Sequence, residues 1–241
     1  MFGGFFDMDK PFWRWMGKIP EIILLSLLWY LCSIPLITII PASCALFDAV
    51  SRNLMMDDKG CYKRFFRSFL RELKQGIPLS IFWLLIGYVA IYGVRVVNFY
   101  AATSSTFSIF SILYLIMIVM MVGYLGWLVA LQSRYGHTFI KLHINALRFF
   151  LGRLPGSAGM IISTIGIIVV CLISPRFTLW LTAFAPCLIA IFHTNPVEKA
   201  FQRAFPQDYE DGLPVYTEQD RIAIRAIKKA RKEEAEAQDA E

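Results

Sequence analysis

The chain has 241 residues, 57% of them hydrophobic and only 17% charged, with a formal net charge of +6. Soluble domains average about 45–50% apolar and about 25% charged residues, so an ordinary soluble domain is excluded. Uncharged apolar stretches of about 20 residues recur, the length that crosses about 30 Å of hydrocarbon, so the composition specifies an all-α polytopic membrane protein.

In that setting the basic excess points to loops beside anionic headgroups rather than to nucleic acid. Residues 1–18 form an aromatic leader, with Phe2, Phe5, Phe6, Phe12, Trp13 and Trp15 among three basic residues. Such a mixture suits the headgroup region. The membrane domain is expected over 19–195. Its first span covers Ile19 to Ile40, with Pro35 kinking or ending the regular part. Pro41 suits the first turn of a new helix whose Leu46, Phe47, Val50 and Leu54 share a face.

Asp57-Asp58-Lys59-Gly60 reads as a turn. After it, Phe65, Phe66, Phe69, Leu70 and Leu73 fall on one helical face, flanked by Lys63, Arg64, Arg67, Arg71 and Lys74. The spacing predicts an interfacial helix over Cys61–Gln75, lying along the membrane and broken by Gly76 and Pro78 before a second span, Ile77–Val97. A short loop, Asn98–Thr106, leads to a third span, Phe107–Leu131. A second amphipathic segment, His137–Leu151, presents Phe139, Leu142, Leu147 and Phe150 and ends at Leu154-Pro155-Gly156. Spans four and five, Ser157–Ile173 and Phe177–Phe192, form a hairpin. The tail, 196–241, is polar, and Thr217–Ala237 reads as a solvated helix. Amphipathic segment, Gly/Pro joint and span occur twice in one order, a faint parallel repeat.

Five spans put 19 of the 24 Lys and Arg residues on the side of loops 41–76 and 132–156 and the tail. By the positive-inside rule that side is cytoplasmic, so the N-terminus faces outward and the C-terminus inward.

Little in the chain suggests chemistry. The five cysteines, Cys32, Cys44, Cys61, Cys171 and Cys187, show no metal spacing, three of them sit in apolar runs where a thiol packs like a small hydrophobe, and Pro41 spoils a lipidation motif at Cys44. Between the charges at their ends, such as Glu21 and Arg95, the spans hold no Asp, Glu, Lys or Arg, the groups that mark ion pathways. His193, at a span end, reads as an interfacial histidine bonded to loop backbone, and His137 and His143 lack carboxylates at ligand spacing. No nucleotide loop, nucleophile elbow or importer-permease signature is present. No catalytic, cofactor-binding or metal residues are therefore named. Gly123, Gly126, Gly156, Gly159 and Gly166 permit close helix approach, within the chain or to a partner.

From Trp29 to Ile77 the sequence carries Ser33-Ile34-Pro35-Leu36-Ile37-Thr38, a Pro41-Ala42 start with Ala45-Leu46-Phe47, and Phe65-Phe66-Arg67-Ser68-Phe69 leading to Lys74-Gln75. This resembles the YesL-like proteins, domain-of-unknown-function family 624, integral membrane proteins of Gram-positive bacteria. The resemblance follows the span order over about residues 15 to 195. It implies a role beside ATP-binding-cassette carbohydrate importers, whose genes accompany the family's. The expected function is that of a non-enzymatic accessory protein in the cell membrane, without cofactors. Its partners would be the bilayer and an importer's transmembrane subunits. A stand-alone facilitator and a membrane-bound sensor are the alternatives. Candidate interface residues are Phe65, Phe66, Arg67, Phe69, Leu70, Arg71, Leu147 and Phe150, and Pro35, Thr38 and Pro41 shape the helices.

Overall fold

Seven helices form among the described residues. In this computed structural model, residues 11–56, 60–101, 105–136, 138–173, 178–210 and 213–215 are described. The helices are α1 (Pro11–Ser33), α2 (Ile39–Met56), α3 (Cys61–Ala101), α4 (Ser105–Tyr135), α5 (Phe139–Gly152), α6 (Leu154–Ile173) and α7 (Thr178–Ala204). A single helical turn, Leu36–Thr38, joins α1 to α2. Another, Pro206–Asp208, follows α7 and leads into two-residue strands β1 (Tyr209–Glu210) and β2 (Leu213–Pro214), which pair antiparallel. The tail helix expected over Thr217–Ala237, the turn at Asp57–Lys59 and His137 lie outside the described residues.

The fold is helical and of membrane type, as its composition requires. Helices α3, α4 and α6 are long and apolar enough to cross a bilayer. They also expose large apolar side chains, such as Leu85, Tyr88, Leu115, Ile162 and Leu172.

Several expected boundaries move, among them the loop read over Asn98–Thr106, into which α3 runs as far as Ala101 and which α4 re-enters from Ser105. The first span was read as one stretch to Ile40, but α1 ends at Ser33 and Ile39–Ile40 already belong to α2. Pro35 is extended (φ −74°, ψ 107°), and the Thr38 hydroxyl lies 2.6 Å from both the Cys32 and Pro35 carbonyl oxygens. That bonding occupies carbonyls freed at the helix end and turns the chain back on itself. Helix α2 then runs antiparallel to α1, with the Trp29 indole N–H donating to Ser43 Oγ at 3.1 Å.

The difference in α3 is larger. Gly76 and Pro78 do not break the chain: Cys61–Ala101 is one helix of 41 residues, and the amphipathic segment is its first part. At 1.5 Å per residue it is about 60 Å long, roughly twice the hydrocarbon thickness. A Cβ on Gly76 would stand 2.5 Å from Pro41 Cγ, so the glycine lets α2 seat its proline ring directly on α3. One turn on, Ser80 Oγ accepts the backbone N–H of Ile40 at 3.2 Å. Membrane helices tolerate proline where neighbouring elements hold the backbone, and here α2 does so.

Helix α2 is the most enclosed element: every residue from Ile40 to Arg52 is buried except Ser43, which is partly buried. One apolar cluster joins its Cys44 and Phe47 to Leu79, Trp127, Leu131, Val197 and Phe201. A second joins Ala45, Leu46, Ala49 and Val50 to Leu25, Phe65, Cys187 and Ala190. Helix α7 also passes through the boundary expected at residue 195, and its Val197, Ala200 and Phe201 are core residues.

Candidate functional site

The polar end of the bundle is where chemistry-bearing side chains collect. Contacts between Glu72 and Gln132, Trp127 and Ser157, and Arg134 and Glu198 bring together the first half of α3, the end of α4, the start of α6 and the end of α7.

Three linked clusters build this end. In the first, Asp48 of α2 accepts from Arg52 Nε at 3.0 Å and from the Ser68 hydroxyl of α3. In the second, the buried Glu72 carboxylate accepts from Arg71 Nε at 2.8 Å and from the Gln132 amide of α4 at 2.8 Å. Arg71 also donates to the Ser133 carbonyl, and Gln132 to Gln75 Oε1 at 3.1 Å. In the third, Arg134 donates to Glu198 and, at 2.6 Å, to the Tyr209 hydroxyl, which itself donates to Glu198. Arg134 and Glu198 are only 6% and 4% exposed, with the guanidinium over the Phe201 and Tyr209 rings. Burial, the largest influence, pushes the Tyr209 hydroxyl well above its ordinary value, which holds it protonated as a donor. Tyr135 bonds Asp208 at 3.1 Å, so the start of the tail is strapped to α4.

A buried charge is tolerated only when it is paired and hydrogen-bonded, and each of these carboxylates is. Their bonds fasten α2 to α3, α3 to α4, and α4 to α7.

The residues singled out from sequence divide between core and surface. Phe65 is fully buried with Phe69 stacked beside it, and Phe150 is buried in the main core. Phe66, Arg67, Leu70, Arg71 and Leu147 are exposed. Pro41 and Thr38 are buried, whereas Pro35 is exposed. The buried pairing of Asp48, Glu72 and Glu198 was not read from the sequence, although Asp48 and Arg52 stand at the i, i+4 spacing of a helical ion pair.

His193 is not an interfacial residue bonded to a loop. Its Nε2 lies 3.0 Å from Thr164 Oγ1 and 3.2 Å from the Met160 carbonyl, buried between α6 and α7. Gly126 of α4 makes the room, since a Cβ there would stand 2.5 Å from Met160 Cε and 3.3 Å from the histidine ring. Gly123 packs under Ile161 in the same way, while Gly159 and Gly166 face open space. His143 stacks on Trp83, and its Nδ1 is bonded to the Phe139 carbonyl. The His143 Nε2 and Trp83 Nε1 atoms are buried without a partner among the described residues.

No curated protein and no solved structure matches this chain. The family described as "Protein of unknown function, DUF624" matches residues 22–94, from α1 through most of α3. That segment contains Pro41, Gly76 and Ser80, the residues that seat α2 on α3, and it bears out the resemblance read from Trp29 to Ile77. The similarity to the DUF624 proteins covers residues 22–94.

Proposed function

We propose that the protein is a non-enzymatic accessory component of an ATP-binding-cassette carbohydrate importer, binding the importer's transmembrane subunits in the cell membrane. One observation carries the reading: the division of α3's first half into two faces. Phe65, Ser68 and Glu72 are committed inward, while Tyr62, Phe66, Arg67, Leu70 and Lys74 stand exposed. Aromatic and arginine side chains on an exposed face are the residue types that anchor protein interfaces. The carboxylates at this end are bound to neighbours, which suits a scaffold better than a reaction centre. Carbohydrate as the cargo rests on the family resemblance. The test is uptake by cells lacking the protein, with and without the importer, beside liposomes holding the purified protein alone. Loss of uptake only where the importer is present, with background flux in liposomes, supports the reading. Saturable sugar flux through the protein alone overturns it in favour of a facilitator.

The polar end is cytoplasmic in this proposal, because the basic residues concentrate there, and the C-terminus lies with it. With α1 as a crossing, the N-terminus is outside. The α1–α2 pair favours a second arrangement, in which α1 enters and α2 returns to the same side. The apolar part of α1, Pro20–Ser33, spans only about 21 Å, and α2 runs back beside it. Labelling a cysteine placed at residue 3 from outside intact cells separates the two. Reaction keeps the N-terminus outside; protection places both termini in the cytoplasm.

A further inference from the structure

We propose that α5 is a docking surface for anionic phospholipids, with Lys141 and Arg148 holding the headgroup phosphates. The proposal stands independently of any importer.

Helix α5 lies across the bundle, not along it. Its Phe139 ring meets Phe82 of α3, and His143 meets Trp83 of α3 and Tyr124 of α4. Farther along, Phe149 meets Trp127 of α4 and Phe201 of α7, and Phe150 meets Tyr124. His143, Phe149 and Phe150 thus spread over a stretch of α4 only about one turn long. A helix seated so steeply on a membrane-crossing neighbour runs near the membrane plane. The rings beneath it, Trp83, Tyr124 and Trp127, are the types enriched where membrane meets water.

The three faces of α5 are distinct. Leu142, Ala146 and Phe150 are buried against the bundle. Ile140, Ile144, Leu147 and Leu151 form an apolar stripe with 46% to 69% exposure. Phe139, at the start of α5 and itself exposed, meets the exposed Phe82 of α3, a candidate span. Lys141 and Arg148, seven residues apart, share a third face about a quarter turn from the stripe. Both are exposed, and neither makes a hydrogen bond or ion pair among the described residues.

No Asp or Glu occurs between Glu72 and Glu198, so α5 has no carboxylate of its own or of its flanking helices to neutralise it. The nearest acids in sequence are occupied, Glu72 by Arg71 and Gln132, and Glu198 by Arg134 and Tyr209. An apolar stripe beside free cations fits a leaflet with phosphates above acyl chains.

The test reconstitutes the full chain in nanodiscs of phosphatidylcholine with 0% or 30% phosphatidylglycerol and reads lipid retention by native mass spectrometry. Wild type should retain phosphatidylglycerol preferentially, and the preference should fall as salt rises. Lys141→Gln with Arg148→Gln should lower it about 30-fold, at about 1 kcal/mol per basic side chain near the surface. Lys141→Arg with Arg148→Lys should restore it. Equal retention of both lipids by wild type, or an unchanged preference in the neutral variant, overturns the proposal. If the neutral variant does not fold, a wild-type preference insensitive to salt overturns it instead. Preferential capture of acidic peptides over phosphatidylglycerol vesicles would assign the surface to a protein partner.

Discussion

Two stretches of this chain carry the same pattern, an amphipathic segment, a joint of glycine and proline, and an apolar span, yet they fold differently. In α3 the helix continues without a break through Gly76-Ile77-Pro78. Between α5 and α6 it breaks at Arg153, whose backbone leaves the helical region (φ −129°, ψ 51°), and Pro155 falls in the first turn of the new helix. The difference lies in what packs on each joint. Across the α3 joint, α2 sets Pro41 on Gly76 and donates the Ile40 N–H to Ser80, splinting the helix. At the other joint, Ser157 accepts the Trp127 indole N–H at 2.9 Å and donates to the Phe150 carbonyl at 2.9 Å, which fastens the bend. Proline therefore permits either outcome, and tertiary neighbours choose. A parallel repeat would have given both halves one geometry, and they do not share one.

The most damaging change to the α3 side should be Asp48→Ala, which takes a carboxylate from Arg52 and Ser68 where α2 meets α3. Breaking a buried ion pair costs about 3–5 kcal/mol, so the detergent-solubilised variant should melt far below wild type. An unchanged melting temperature would show that the cluster does not hold α2. Next comes Gly76→Leu, which drives a side chain into Pro41. Overpacking of this kind costs about 1–3 kcal/mol, whereas Gly152→Leu at the end of α5, where a Cβ meets nothing within 4 Å, should stay within about 0.5 kcal/mol. Equal effects at the two glycines would erase the contrast between the joints.

Ser157→Ala should be milder than Asp48→Ala and comparable to Gly76→Leu, about 1–3 kcal/mol for a buried indole N–H left without its acceptor. Hydrogen exchange should locate that loosening at the α5–α6 bend and not in α3. A last effect, read from its pH dependence, concerns Tyr209. Its folded-state value is raised above the ordinary 10.0, so its contribution is intact below pH 10 and is lost as pH rises beyond it. Tyr209→Phe should make stability less sensitive to pH above 10, while a variant as sensitive as wild type would remove Tyr209 from that dependence.

How far sequence reaches is clear from the same two regions. Helical class, the apolar stretches and both amphipathic segments were legible, because hydrophobic period and length report directly on burial and bilayer thickness. Phe65 and Phe150 read as membrane or partner interface residues, and their burial in the core was not legible. The continuity of α3 was not legible, since it depends on Pro41, 35 residues away in sequence from Gly76. The ionic clusters escaped for a related reason. Glu72 and Glu198 look like members of solvated charged faces, and only their partners on α4, Gln132 and Arg134, reveal that they are buried. The role of Gly126 in lodging His193 likewise exists only once α4, α6 and α7 are assembled.

The central claim, that the exposed face of α3 meets an importer, can be tested with a photo-crosslinking amino acid placed at Leu70 and, separately, at Leu115 in the exposed apolar part of α4. In cells that express the importer, the account predicts adducts with its transmembrane subunits from position 70 and only lipid adducts from position 115. Importer adducts from position 115 with none from position 70, or none from either, would contradict it.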